Sequence, residues 1–239
     1  MDLIYRQTMA PRVRDCDMYK RLKPSALFEL FQDANQLHTE ALGFGNVFLE
    51  QHNLLWVIGR SVCQIEHMPV FGQTIHLTAW NEKPKMGLYS WQYRLTDERD
   101  NELVRANSLW VLVDKSTRTM LMQTPDYCSI TYPQPPEEPY NPRIRMHYAG
   151  ERSVKTLQTT YTDTDQNGHI SNLRYLDWVS DLPGSAFHRS HELASLAIDY
   201  RSEIMADESI QLEWAMNQNK LYCSGEQHFI AVMEFKDVN

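Results

Sequence analysis

An α+β fold built from two copies of one unit is what this sequence predicts, and three observations carry the prediction. The chain has 239 residues, 42% hydrophobic and 11% aromatic, which is enough apolar material for a buried core and too much for a disordered chain. The expected elements run strand, helix, then a series of strands, and that order occurs twice. The two halves also match at particular residues, at offsets of 148 and then 135.

The first half opens with an extended stretch over 3–14. A helix follows over 24–42, with Pro24 suited to its first turn. Leu27, Leu30, Phe31, Ala34, Leu37 and Ala41 recur at helical spacing and are expected on one buried face. Strands are expected over 54–66, 73–81, 88–96 and 102–114, with a short one over 119–122. Turn signals such as Lys83-Pro84-Lys85-Met86-Gly87 separate them. Prolines 133, 135, 136, 139 and 142 then rule out helix and interior strand, so an extended linker is expected. The second half repeats the order: a Thr-rich strand over 156–162, a helix over 171–180 with Ser171 as N-cap, and strands over 196–201, 209–216, 220–224 and 228–235. The expected division is 1–131, a Pro-rich linker over 132–142, and 143–239.

At an offset of 148, Val13-Arg14-Asp15-Cys16-Asp17 lies over Tyr161-Thr162-Asp163-Thr164-Asp165. Leu22 then falls on Ile170, Leu27 on Tyr175, Phe28 on Leu176 and Leu30 on Trp178; at an offset of 135, Ile75 and Leu77 fall on Ile210 and Leu212. Polar residues break the symmetry. Asn167 and His169 stand where the first copy has Tyr19 and Arg21, and Glu203 stands where it has Met68. Packing on a shared backbone does not require these polar residues, so one active site per chain, in the second copy, is expected.

Composition removes several classes. The net charge of -8 lacks the basic excess of a nucleic-acid binder. Apolar runs such as residues 54–58 are far shorter than the roughly 20 residues a membrane span needs. The N-terminal residues do not read as a secretory signal, and a cytoplasmic protein is expected. Cys16, Cys63, Cys128 and Cys223 form no Cys-x-x-Cys pair, so reduced thiols are expected. Gly43-x-Gly45 lacks the third glycine of a dinucleotide fingerprint and there is no Walker-type loop, so no cofactor is expected. Asp163, Asp165, Asn167 and Gly168 fit the start of a calcium loop, but Arg174 falls where a bidentate glutamate is needed. His188 and His191 lack a third ligand, and His188 is expected at the surface; no metal is expected.

The segment Asp163-Thr164-Asp165, Gly168-His169, Asn172 and Tyr175 resembles the signature of hot-dog-fold thioesterases, in which an acidic Gly-His loop leads into the central helix. Asp165-x-Asn167-x-His169 with a downstream Glu203 is similar to the catalytic set of the fatty acyl-acyl-carrier-protein thioesterases. The block 191–203 resembles that family's approach to its glutamate, and 54–60 and 107–113 resemble its first-half strands. The resemblance implies two fused hot-dog units, each a long helix wrapped by an antiparallel sheet, and a catalytic set of Asp165, Asn167, His169 and Glu203. Two departures stand out. Ile204 occupies the position after the glutamate where many members have cysteine, so that residue cannot act as a nucleophile here. The second is the expectation of a bacterial-type cytosolic enzyme without the long targeting region of plastid members.

The resemblance implies release of free fatty acid from acyl-acyl-carrier protein, with acyl-CoA hydrolysis, non-catalytic acyl binding or a hot-dog dehydratase as the competing readings. Water activated by Glu203 is the favoured nucleophile. An apolar tunnel is expected to desolvate that carboxylate and strengthen it as a base. Asn167 would position the water, His169 would move protons, Asp165 would hold both in register, and backbone N–H groups near Ser171 would stabilise the oxyanion. Attack by Asp165 itself stays open. Leu27, Phe31, Ala34, Leu54, Trp56 and Trp110 are the candidates for lining the acyl channel, in the first half. An acidic carrier protein needs a basic patch; Arg12, Arg14, Lys20, Arg21 and Lys23 form one candidate, and Arg143, Arg145, Arg152 and Lys155 another. A self-sufficient monomer and an edge-paired homodimer both stay open.

Overall fold

A computed structural model describes residues 3–125 and 131–238. The first half supplies β1 (Tyr5–Met9), β2 (Leu54–Ile65), β3 (Ile75–Asn81), β4 (Leu88–Thr96) and β5 (Glu102–Asp114). The second supplies β6 (Ser153–Gln158), β7 (His191–Tyr200), β8 (Ser209–Asn217), β9 (Lys220–Gly225) and β10 (Phe229–Asp237). All ten form one sheet in the order β1-β3-β4-β5-β2-β7-β10-β9-β8-β6. Read from either edge inward, the order of the two halves is the same. They meet where β2 pairs antiparallel with β7, Cys63 opposite Leu196.

The duplication extends to register. Met9 sits opposite Ile75 and Gln7 opposite Leu77; Leu157 sits opposite Ile210 and Lys155 opposite Leu212. These pairs carry the offsets of 148 and 135 seen in the sequence. Each copy then winds into a 3-10 turn, Val13–Asp15 and Tyr161–Asp163, and closes with a single bridge, Cys16 to Leu22 and Thr164 to Ile170. The superposed apolar residues Leu22, Leu27, Phe28, Ile170, Tyr175 and Leu176 are all buried.

Helix α1 (Pro24–Ala41) lays Leu27, Phe28, Phe31 and Ala34 against the sheet, with Phe31 stacked on Tyr93 at 4.6 Å. After α2 (Asn46–Gln51) and the first strands, α3 (Asn172–Ser180) does the same in the second copy, stacking Tyr175 on Phe229 at 4.7 Å. α3 has nine residues against eighteen in α1, so only the first unit has the long helix expected of both. The two helices lie side by side, linked by Gln32 Nε2 donating to Asn172 Oδ1 at 3.1 Å. The apolar face of α1 ends earlier than its sequence spacing suggests. Leu37 and Ala41 are exposed, and Asn35 and His38 take the buried positions on the last turns.

The Pro-rich segment crosses the opposite face of the sheet. Tyr140 N–H donates to Gln92 Oε1, and Glu137 lies against Arg94 and Arg105. Further on, Tyr148 stacks on Tyr222 at 5.1 Å, and Arg152 joins the Tyr148 carbonyl to Glu213. Several expectations are corrected. The 119–122 segment is no strand; it makes one bridge, Val113 to Met120. The strand expected over 156–162 begins at Ser153 and stops at Gln158, because Thr160 and Asp163 cap the 3-10 turn that follows. β7 begins five residues earlier than expected, at His191. α2 and α4 (Ser185–Ser190) were not expected; six residues are too few to show a period. His188 is half-buried, not a surface residue, and its Nε2–H donates to the Ser180 carbonyl at the end of α3. Cys128 lies outside the described residues.

Candidate active site

The loop before α3 is a tight turn that a polar sequence can hold. Asp165 N–H donates to the His169 carbonyl, Gly168 N–H to the Asp165 carbonyl, and Asn167 N–H to Asp165 Oδ1 at 2.8 Å. Gly168 adopts φ +80, which favours glycine. The turn's return limb bridges to the segment after β7. His169 pairs with Met205, and Ile170 N–H donates to the Ile204 carbonyl. That bridge sets Glu203 beside the histidine.

His169 Nε2 lies 3.2 Å from Glu203 Oε2. Asn167 Nδ2 approaches Asp165 Oδ2 at 3.4 Å. The two pairs share a neighbour: the buried hydroxyl of Tyr175 on α3. Its acidity is suppressed first by burial and then by the charges of Asp165 and Glu203. All four expected residues therefore lie around one end of α3. They stand at the protein surface, with Asp165, Asn167 and Glu203 exposed and the Glu203 side chain 53% accessible. The desolvation expected at Glu203 is thus not present in this structure.

One site residue was not foreseen. Arg118, in the turn after β5 of the first unit, places Nη1 3.6 Å from Glu203 Oε1. The sequence offered only a polar turn after a strand, with no link to residue 203. Several of the backbone N–H groups near Ser171 expected to stabilise the oxyanion are already bonded. Ser171 N–H is bonded to the Asp163 carbonyl, Leu173 N–H points at Ser171 Oγ, and Arg174 N–H at the Ser171 carbonyl, so Ser171 N–H is not available. Arg174 also donates to Asp163 Oδ1 at 2.8 Å, which occupies the first carboxylate of the calcium-loop pattern. Ile204 is buried and contributes only backbone.

Of the channel candidates, Leu27, Phe31, Ala34 and Leu54 are fully buried in the core of the first unit. Trp56 and Trp110 are partly exposed at its edge, with Trp56 edge-on to Tyr89 at 4.8 Å and Trp110 Nε1 donating to Ser108 Oγ. A cavity of about 330 Å³ lies elsewhere, on the outer face of the second unit among Tyr148, Arg152, Arg201, Glu213 and Tyr222, and none of the channel candidates lines it. In the first basic patch three of the five cations are paired, with two carboxylates between them. Arg12 and Arg14 pair with Asp15, and Arg21 is bound to Asp17 and to carbonyls of the second unit.

The fold, two like units joined in one sheet with a helix packed on each, defines a double hot-dog protein. Family models agree with both halves: the acyl-ACP thioesterase N-terminal domain matches residues 2–131 and the C-terminal domain matches 146–233. The chain belongs to the acyl-ACP thioesterase family. It is 25% identical to an acyl-[acyl-carrier-protein] hydrolase of Cuphea viscosissima over 90% of this chain and 56% of the relative. It is 22% identical to an oleoyl-acyl carrier protein thioesterase of Arabidopsis thaliana, over 87% of this chain and 62% of the relative. The chain thus spans a little over half the length of these relatives, which are chloroplastic. An acyl-ACP thioesterase structure from Bacteroides thetaiotaomicron superposes with a TM-score of 0.86 at 19% identity, covering 98% of both chains. The 12:0-ACP thioesterase of Umbellularia californica superposes with a TM-score of 0.79 at 21% identity, covering 100% of this chain and 99% of that one. No helix among the described residues is long and apolar enough to cross a membrane.

Proposed function

We propose that this chain hydrolyses the thioester of a fatty acyl-acyl carrier protein and releases the free fatty acid. The observation that carries the reading is the 3.2 Å contact between His169 and Glu203 beside the Asp165–Asn167 turn, a set that only the second copy has. Glu203 accepts a proton as water attacks the carbonyl carbon, and the Asn167 side-chain amide orients that water. The Asn172 N–H at the start of α3, favoured by the helix dipole, stabilises the oxyanion. Glu203 passes that proton to His169 across the 3.2 Å contact; the tetrahedral intermediate then collapses, the C–S bond breaks, and His169 delivers the proton to the leaving thiolate, which restores both groups. Atoms balance as water plus thioester giving carboxylic acid plus thiol. The exposure of the site suits a substrate attached to a protein, which must reach it from outside. The acyl chain would enter past Trp56 and Trp110 toward Phe31 and Leu27. The free cysteines Cys16, Cys63 and Cys223 are compatible with the reducing cytoplasm proposed for it.

The test is hydrolysis of acyl-acyl carrier protein and of the matching acyl-CoA by wild type and Glu203→Ala. The expected result is preference for the carrier protein and a loss of kcat of at least ~100-fold in the variant, the scale of general-base removal. Tight acyl binding without hydrolysis would favour a non-catalytic acyl-binding protein, and equal rates on both carriers would favour an acyl-CoA thioesterase. Sedimentation of the same preparation separates a single-chain active unit from a dimer paired through β1 or β6.

A further inference from the structure

The geometry points to Arg118 as a positioning residue for Glu203, lent by the first unit to the active site of the second. Each oxygen of the Glu203 carboxylate has its own partner: Oε2 faces His169 Nε2 at 3.2 Å, and Oε1 faces Arg118 Nη1 at 3.6 Å. Among the described residues, Arg118 is the one Lys or Arg within ion-pair distance of Glu203. A half-exposed glutamate on a loop otherwise samples many rotamers. Fixing one oxygen leaves the other aimed at the histidine and the attacking water.

The turn that carries Arg118 is built to hold it. Asp114 Oδ1 accepts from Thr117 N–H at 2.8 Å, Ser116 N–H at 2.9 Å and Thr117 Oγ1 at 3.1 Å, and these bonds keep its carboxyl below the usual range. Arg118 N–H donates to the Asp114 carbonyl at 2.9 Å, and Arg118 sits in the left-handed region at φ +56. A non-glycine residue persists there only where its surroundings impose it. Asn53 Nδ2 reaches Ser116 Oγ at 2.9 Å, and Lys115 pairs with Glu50 of α2, so the turn is tied to the neighbouring corner of the first unit. The active site is therefore completed across the two halves.

This inference rests on the hydrolase reading, and the test separates the two. Arg118→Ala and Arg118→Lys are assayed on an acyl-acyl carrier protein and on the N-acetylcysteamine thioester of the same acyl group, which lacks the carrier's phosphate. The expected result for Arg118→Ala is a kcat loss of about 10- to 100-fold on both substrates with KM little changed, as for a displaced catalytic group. Arg118→Lys, and guanidinium ion at low millimolar concentration added to Arg118→Ala, should each recover part of kcat. An unchanged kcat in Arg118→Ala overturns the inference while leaving the hydrolase reading intact. So does a rise in KM confined to the carrier-protein substrate, which would make Arg118 a phosphate contact. A wild type inactive on both thioesters overturns the hydrolase reading and this inference with it.

Discussion

Two equivalent loops, 13–23 and 161–171, share a backbone and have opposite duties. Both begin with a 3-10 turn capped by an aspartate, Asp15 or Asp163. Both form an Asx turn, with Tyr19 N–H on Asp17 Oδ1 and Asn167 N–H on Asp165 Oδ1, each at 2.8 Å. Both have a left-handed residue at the same place, Lys20 or Gly168. The side chains diverge. In the first copy Arg21 is largely buried, donates to the carbonyls of His188 and His191 at 2.7 and 2.9 Å, and lies over the Tyr19 ring; Tyr19 Oη donates to the Ser185 carbonyl. In the second copy the same positions hold an exposed Asn167 and a half-buried His169 that faces Glu203. One loop forms a clamp between the units, and the other is the proposed reaction site. The scaffold dictates the turn and leaves the side chains free to serve either end.

Exchanging the residues is the sharpest way to break this comparison. His169→Arg, paired with Asn167→Tyr, recreates the first copy's loop in the second. Hydrolysis should fall at least ~100-fold. The reverse exchange, Arg21→His with Tyr19→Asn, should create no second site, because Met68 stands where Glu203 is needed. Hydrolysis surviving the first exchange, or rising with the second, would mean that chemistry does not divide between the loops as described.

A smaller effect is expected from Arg21→Ala. It removes two charge-assisted bonds to backbone carbonyls and leaves Asp17 without its guanidinium partner, at a cost of about 2–4 kcal/mol. For a chain of this size that is a fall in Tm of roughly 5–12 °C. The kcat should stay within about two-fold of wild type once folding is allowed for. A Tm within 1 or 2 °C of wild type, by calorimetry, would remove the clamp from the account.

Much of this was legible in the sequence because duplication prints each constraint twice. The offset of 148 survives in the 3-10 turns, the single bridges and the buried pair Leu22 and Ile170, and it singled out Asn167 and His169 by their departure from it. β4 and β5 were legible to the residue because turns bound both. What escaped is what no local period records. α2 and α4 are shorter than two turns, and spacing puts Leu37 on the buried face because it cannot say where a helix leaves the sheet. Arg118 reaches Glu203 only because the two halves join at β2–β7, a tertiary fact.

The smallest expected effect tests what the two loops still share. Both capping aspartates have carboxyls held below the ordinary aspartate range. At Asp163 burial pushes upward, but the hydrogen bonds from Thr160 and Arg174 outweigh it; at Asp15 burial is likewise outweighed, by the bonds from Arg12. A carboxyl depressed in the folded state adds stability above its unfolded value. That stability is lost as pH falls from there through the folded value. Wild type should therefore lose Tm as pH drops from about 5 toward 2. Asp163→Asn and Asp15→Asn should each start lower at neutral pH and fall less steeply, with the slopes converging in the double variant. Asp163, the more enclosed of the two and bonded to Arg174 at 2.8 Å, should show the larger change. If the single variants kept the wild-type slope, the aspartates would not be the shared acid-sensitive element of the two turns, and the equivalence of the loops would be one of backbone shape alone.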